Sequence, residues 1–78
     1  MLYVVATPIG NLSDMSPRAV ETLKSVDAIA AEDTRVTRKL LTYFGIQTQL
    51  ISCHEHNEHS RSQELVLRML AGQHIALV

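Results

Sequence analysis

The stretch VVATPIGNLSDMSPRAV, residues Val4–Val20, joins an apolar, β-branched run to a helix-like segment through a stiff, polar turn. The run Leu2–Ala6 lacks polar alternation and is typical of a buried strand in a parallel sheet. Ser16, followed by proline, is an N-cap and first-turn pair. A strand, a loop and a helix over Pro17–Ser25 are therefore predicted in succession.

The same succession repeats along the rest of the chain. Short apolar runs predict three more strands, at Asp27–Ala31, around Leu50–Ile51 and at His74–Val78. Thr34 and Ser60 are predicted to cap the two helices between them, which end at Gly45 and Gly72. The predicted apolar stripes of these helices are Val36, Leu40, Leu41 and Phe44, and Leu65, Val66, Met69 and Leu70.

This order of elements predicts the fold class. Strands that alternate with helices through short connections form an α/β fold, βαβαβαβ, with a parallel sheet, flanking helices and right-handed crossovers. The apolar run still continues at Val78, so we expect the chain, residues 1–78, to be the N-terminal part of a truncated first α/β domain.

Composition excludes several classes of protein. Seven basic and eight acidic residues give no global attraction to nucleic acid, so any RNA contact must be local. The N-terminus lacks a basic region, and no apolar run approaches the roughly 20 residues of a membrane span, so we expect a cytoplasmic protein. Cys53, the single cysteine, is expected at a strand end.

Polar residues follow each predicted strand, where parallel sheets bind their ligands. The first such loop, Thr7–Leu12, has one glycine where a dinucleotide fingerprint needs three, and it lacks the lysine of a P-loop, which argues against nucleoside triphosphate binding. Pro8 and Gly10 favour a fixed loop shape beside a ligand, or else a rigid turn that contacts none.

Charged residues follow the second strand. Glu32 and Asp33 are candidates for acid–base work or for anchoring ribose hydroxyls, or they only favour the positive end of the following helix. Arg35, Arg38 and Lys39 share one helical face, which either meets phosphates or is simply solvated.

Histidines follow the third strand. His54, His56 and His59, with Glu55 and Glu58, are metal-ligand types, but position 58 is Glu, so the motif His-Glu-x-x-His is absent. The spacing specifies no three-ligand geometry. We therefore predict no metal site, and favour hydrogen bonding of these side chains to a ligand or to neighbouring loops.

Together, LYVVATPIGNLSDMSPRAVETL, VDAIAAEDTR, HEHNE and GQHIALV resemble the amino-terminal part of the tetrapyrrole (corrin and porphyrin) methylase superfamily. ATPIGNL followed by AEDTR is similar to the branch that methylates the ribose 2′-hydroxyl of a cytidine in small-subunit ribosomal RNA. The cobalamin-pathway branch typically has a Gly-x-Gly-Pro-Gly turn in place of Thr7–Gly10.

The resemblance implies a two-domain, homodimeric enzyme that binds S-adenosylmethionine between its domains and needs no metal. It implies small-subunit ribosomal RNA as partner and places the cofactor at Thr7, Pro8, Gly10 and Asn11. The catalytic candidates are Glu32, Asp33, Arg35, His54 and His56. The proton acceptor would be Glu32, Asp33 or a histidine of residues 54–59, among which the sequence does not choose, and Arg35 would be a positioning group.

Two alternatives stay open at this point. One keeps the superfamily but gives the enzyme a tetrapyrrole substrate, a precorrin or uroporphyrinogen. The other makes the 78-residue chain a catalytically silent binding or dimerisation module, whose uncovered apolar faces would promote association.

Overall fold

A computed structural model describes residues 1–8, 10–54 and 56–78 of the chain. Ile9 and Glu55, which belong to two of the predicted loops, lie outside the described residues. The strands are β1 (Leu2–Val4), β2 (Ala28–Ala31), β3 (Gln49–Ser52) and β4 (Ile75–Leu77). The helices are α1 (Pro17–Ser25), α2 (Thr34–Tyr43) and α3 (Glu58–Leu70), and a single 3-10 turn, Leu12–Asp14, precedes α1.

The four strands form one parallel sheet in the order β1-β4-β2-β3. The predicted α/β fold with a parallel sheet is therefore confirmed. The sequence did not predict the order of the strands, in which β4 inserts between β1 and β2.

The two faces of the sheet carry separate parts of the core. Ile29 and Ala76 pack with residues of α1 and α2, including the fully buried Leu23. Ala30 and Ile75 face the other way and pack with Leu65 of α3. Because neighbouring residues of a strand point to opposite faces, α1 and α2 cover one face and α3 covers the other.

The helix starts show one confirmed and two wrong predictions. Ser16 caps α1, and its hydroxyl accepts the Ala19 N–H at 3.1 Å. Thr34 is the first residue of α2 and not its cap, because the preceding carboxylate of Asp33 takes that role. Ser60 lies inside α3, where its hydroxyl donates to the Asn57 carbonyl, and the N-cap position of α3 is Asn57, three residues earlier than predicted.

The helix ends follow the prediction more closely. At the end of α2, Gly45 adopts φ +67°, the left-handed conformation that favours glycine. The turn brings the Ile46 N–H to the Leu41 carbonyl at 2.8 Å, and the Ile46 side chain into the core.

Several predicted core positions are exposed instead. Val36 of α2 is 64% exposed, and Val66 and Leu70 of α3 are 50% and 79% exposed. Thr37 is buried in place of Val36, since a helix buries only one stripe and that stripe runs through Thr37, Leu40 and Leu41.

Strand β1 also differs from its prediction. It ends at Val4 rather than Ala6, and it lies at the edge of the sheet, paired with β4 alone. Leu2 and Val4 point to one face and are 48% and 78% exposed, while Tyr3 packs on the α1 side. Within the described residues, no helix has the length and apolar character needed to cross a membrane.

Candidate functional site

The topology of the sheet leaves a crevice at the carboxyl ends of β2 and β3. These strands are neighbours, with Ala31 paired to Ser52 at their ends. The chain leaves β2 for α2 on one face and leaves β3 for α3 on the other. Two neighbouring strands whose outgoing loops diverge in this way leave a gap at their carboxyl ends, which is where open α/β sheets bind ligands.

An open groove of about 570 Å³ occupies this position, and we call it the strand-end groove. All five predicted catalytic candidates line it together with two hydroxyl-bearing residues, so the complete lining is Glu32, Asp33, Thr34, Arg35, Ser52, His54 and His56. Thr34 and Ser52 were not predicted, because hydroxyl residues at a helix start and a strand end carry no distinctive sequence signal. The loops after the second and third strands thus meet in space, as the sequence predicted.

The two neighbouring carboxylates have different surroundings. Asp33 is engaged with its own helix: Oδ1 accepts the Arg35 N–H at 3.0 Å and lies 3.8 Å from Arg35 Nε. The Arg35 side chain is 91% exposed, so this ion pair adds little stability. Glu32 is exposed, and within the described residues no hydrogen bond to its carboxylate is found.

His54 begins a tight turn. The Asn57 N–H donates to the His54 carbonyl at 3.1 Å, and the His56 N–H donates to His54 Nδ1 at 3.1 Å. The two imidazole rings lie edge to face, with their centroids 5.8 Å apart. His54 is half-buried and His56 is exposed.

The side chain of Asn57 stabilises this turn through two hydrogen bonds. Its Oδ1 accepts the His54 N–H at 2.8 Å, and its Nδ2 donates to the Ser52 carbonyl at 3.3 Å. Asn57 had no separate predicted role in the site. Asparagine in a polar loop commonly forms hydrogen bonds to neighbouring backbone groups, which is the signal that could have indicated this role.

The first loop lies apart from the strand-end groove. Thr7, Pro8, Gly10 and Asn11 follow β1, and both β4 and β2 stand between β1 and β3 in the sheet. Asn11 is engaged locally, since Oδ1 accepts the Ser13 N–H at 3.0 Å and the Ser13 hydroxyl at 2.7 Å. Gly10 has φ +97°, which explains a glycine there.

The basic residues of α2 extend the polar surface beside the groove. Arg35 lies in its wall, and Arg38 and Lys39, one turn further along the helix, are exposed. Their spacing places the three cations on one side of α2.

The chain is similar to known proteins over all or nearly all of its length. The sequence profile of the Tetrapyrrole (Corrin/Porphyrin) Methylases matches residues 1–78. A Synechocystis protein named Ribosomal RNA small subunit methyltransferase I is 67% identical over 78 residues, 100% of this chain and 28% of the relative. Proteins of the same name from Bacillus subtilis and Escherichia coli O157:H7 are 56% and 53% identical, over 100% and 99% of this chain and 27% of each relative.

Two facts follow from these matches. The chain spans about 28% of the length of the Synechocystis relative, so it corresponds to a part of such a protein. The family profile covers every residue of the chain, and the parallel sheet with helices on both faces agrees with it. The chain belongs to the tetrapyrrole (corrin/porphyrin) methylase family.

Proposed function

We propose that the chain is the N-terminal part of the first α/β domain of a methyltransferase that acts on small-subunit ribosomal RNA. The observation that carries the proposal is the identity of 51–67% with proteins named Ribosomal RNA small subunit methyltransferase I. The strand-end groove, with its carboxylates, imidazoles and hydroxyls, provides the polar surface that such chemistry needs.

The proposed reaction is methylation of the ribose 2′-hydroxyl of a cytidine. An alcohol is a weak nucleophile, so the enzyme must align the hydroxyl and accept its proton as the new bond forms. Glu32 is the residue we propose for this proton, because it lines the groove and its carboxylate is not engaged by a described residue. Asp33 is a weaker candidate since it caps α2.

The proposed methyl donor is S-adenosylmethionine. When bound, it supplies a methyl group on a sulfonium sulfur, and transfer breaks that carbon–sulfur bond, forms a carbon–oxygen bond and leaves a neutral thioether. The groove fits such a donor chemically, because exposed carboxylates suit a cationic centre and ribose hydroxyls. Thr7, Pro8, Gly10 and Asn11 stay proposed contacts of a part of the cofactor that lies outside the groove, although Asn11 Oδ1 would have to exchange its bonds to Ser13.

RNA contact is assigned in this proposal to the cations of α2. Arg35, Arg38 and Lys39 are exposed beside the groove, and Arg and Lys position nucleic acids through their phosphates. A cytoplasmic location and a homodimeric assembly complete the proposal.

Methyl transfer from labelled S-adenosylmethionine tests the function directly. The complete methyltransferase would be incubated with unmodified small-subunit RNA and, separately, with uroporphyrinogen. Label in a 2′-O-methylcytidine supports the proposal. Label in the tetrapyrrole alone would replace it with the small-molecule activity of the wider family.

A further inference from the structure

We infer that His54 is held as the Nε2-protonated tautomer and acts as a hydrogen-bond donor to an oxygen of the RNA substrate, with Asn57 as the residue that positions it. The inference rests on the proposed function, and it gives His54 a positioning role in place of the proton-acceptor role that the sequence left open.

The tautomer follows from the bond at Nδ1. The His56 backbone N–H donates to His54 Nδ1 at 3.1 Å, and a nitrogen that accepts a hydrogen bond carries a lone pair. A neutral imidazole has a single ring proton, so that proton lies on Nε2. Because Nδ1 is already engaged and Nε2 is protonated, neutral His54 has no free ring nitrogen with which to accept the proton of a substrate hydroxyl.

Asn57 makes this arrangement specific. The Asn57 side-chain Oδ1 accepts the His54 N–H at 2.8 Å, and the Asn57 backbone N–H donates to the His54 carbonyl at 3.1 Å. Both backbone groups of His54 are therefore fixed. Asn57 Nδ2 then attaches the turn to the end of β3 through the Ser52 carbonyl. The half-buried amide of Asn57 thus sets the position from which the His54 ring projects.

The other side of the ring is available for a ligand. His54 lines the strand-end groove together with Glu32, and within the described residues no hydrogen bond to His54 Nε2 is found. A donor N–H and a carboxylate in one groove are complementary to a hydroxyl group, which accepts one hydrogen bond and donates another. His54 would hold the ribose oxygen, and Glu32 would receive its proton.

Nitrogen NMR of the histidine rings in the 78-residue chain tests the tautomer without any activity. We expect the His54 Nδ1 resonance to be that of an unprotonated nitrogen and Nε2 that of a protonated one. Asn57→Ala should give a mixture of tautomers, whereas Asn57→Asp keeps the acceptor for the His54 N–H and should keep the single tautomer. A protonated Nδ1 in the neutral wild-type ring would overturn the inference.

Two substitutions in the complete methyltransferase then distinguish the role of His54 as a hydrogen-bond donor to the substrate from its role in the turn. His54→Gln places an amide N–H near the position of Nε2, and His54→Asn places an acceptor oxygen near the position of Nδ1. A donor to substrate predicts that His54→Asn lowers kcat/KM about tenfold more than His54→Gln, the cost of one hydrogen bond. Circular dichroism would show that both variants are folded.

The remaining outcomes are each decisive. A smaller loss in His54→Asn than in His54→Gln would mean that only the turn matters. An equal loss in both variants would exclude the donor role, and disappearance of one limb of the pH–rate profile would then make His54 the base. Either result overturns the inference. A wild-type enzyme that methylates no RNA would instead refute the proposed function, while the NMR result would still decide the tautomer.

Discussion

Two hydrogen bonds connect Asp27 and His74, which are 47 residues apart in the sequence. The His74 N–H donates to Asp27 Oδ2 at 2.7 Å, and the Asp27 N–H donates to the His74 carbonyl at 2.8 Å. These residues directly precede β2 and β4, which pair from Ala28 and Ile75 onward. The pair therefore fixes the register at the amino ends of the two central strands, opposite the strand-end groove.

Replacement of Asp27 tests this pair. Asp27→Ala removes the acceptor for the His74 N–H and should lower the free energy of unfolding by about 1 kcal/mol, less than is usual for a hydrogen bond to a charged group, because Asp27 is exposed. Asp27→Asn keeps an acceptor oxygen and should lose less than half as much. Urea denaturation measures both, and equal losses would contradict the role given to the side-chain oxygen.

The core between the sheet and α1 depends on Leu23, which is fully buried. Leu23→Ala removes buried methyl groups and leaves a cavity, so unfolding should become easier by about 2–5 kcal/mol. Val36→Ala on α2 is the matched control, because that side chain is 64% exposed and its truncation should change stability by less than about 0.5 kcal/mol. Similar thermal shifts for both variants would contradict the assigned core.

Asp33 and Glu32 are predicted to differ in role. Asp33→Ala removes the α2 cap and should cost about 1 kcal/mol of stability, while Asp33→Asn keeps an oxygen that accepts the Arg35 N–H and should cost much less. Glu32→Gln should leave stability within about 0.5 kcal/mol but abolish most methyl transfer in the complete enzyme. A greater loss of activity in Asp33→Asn than in Glu32→Gln would reverse the assignment.

Most of the fold was predictable because its signals are local. Ser16 before a proline and Gly45 after a run of helix formers determine backbone geometry within a few residues, and both were confirmed. Strand order was not predictable, since the insertion of β4 between β1 and β2 depends on contacts between distant segments. The exposure of β1 has the same origin, because edge and centre positions look alike in a short apolar run.

The site was predictable in composition but not in geometry. Parallel sheets bind ligands at the carboxyl ends of their strands, and this rule predicted that Glu32 and His54 lie near each other. Both residues line the strand-end groove. Asp33 caps α2 and Asn57 bonds to the backbone of His54. Both interactions depend on side-chain rotamers, which the amino-acid sequence does not specify. Thr7, Pro8, Gly10 and Asn11 lie apart from this groove because β4 and β2 stand between β1 and β3, and the sequence does not specify that strand order.

Charge reversal on α2 tests the proposed RNA surface. The double variant Arg38→Glu with Lys39→Glu should weaken binding of small-subunit RNA across sequences and lower the salt dependence of binding, by about one unit of slope for each lost phosphate contact. Arg18→Glu with Lys24→Glu on α1 changes the net charge equally, outside the groove wall, and is the control. Equal weakening by both pairs would indicate a non-specific charge effect.

The proposed function and the role of Glu32 are tested most directly by the transfer of labelled methyl from S-adenosylmethionine to small-subunit RNA by the complete enzyme, in which the wild type is compared with Glu32→Gln. We predict a 2′-O-methylated cytidine with the wild type and a loss of at least about a hundredfold in rate with the folded variant, the usual contribution of a general base. Full activity of Glu32→Gln would contradict the assignment of Glu32, in the strand-end groove, as the proton acceptor.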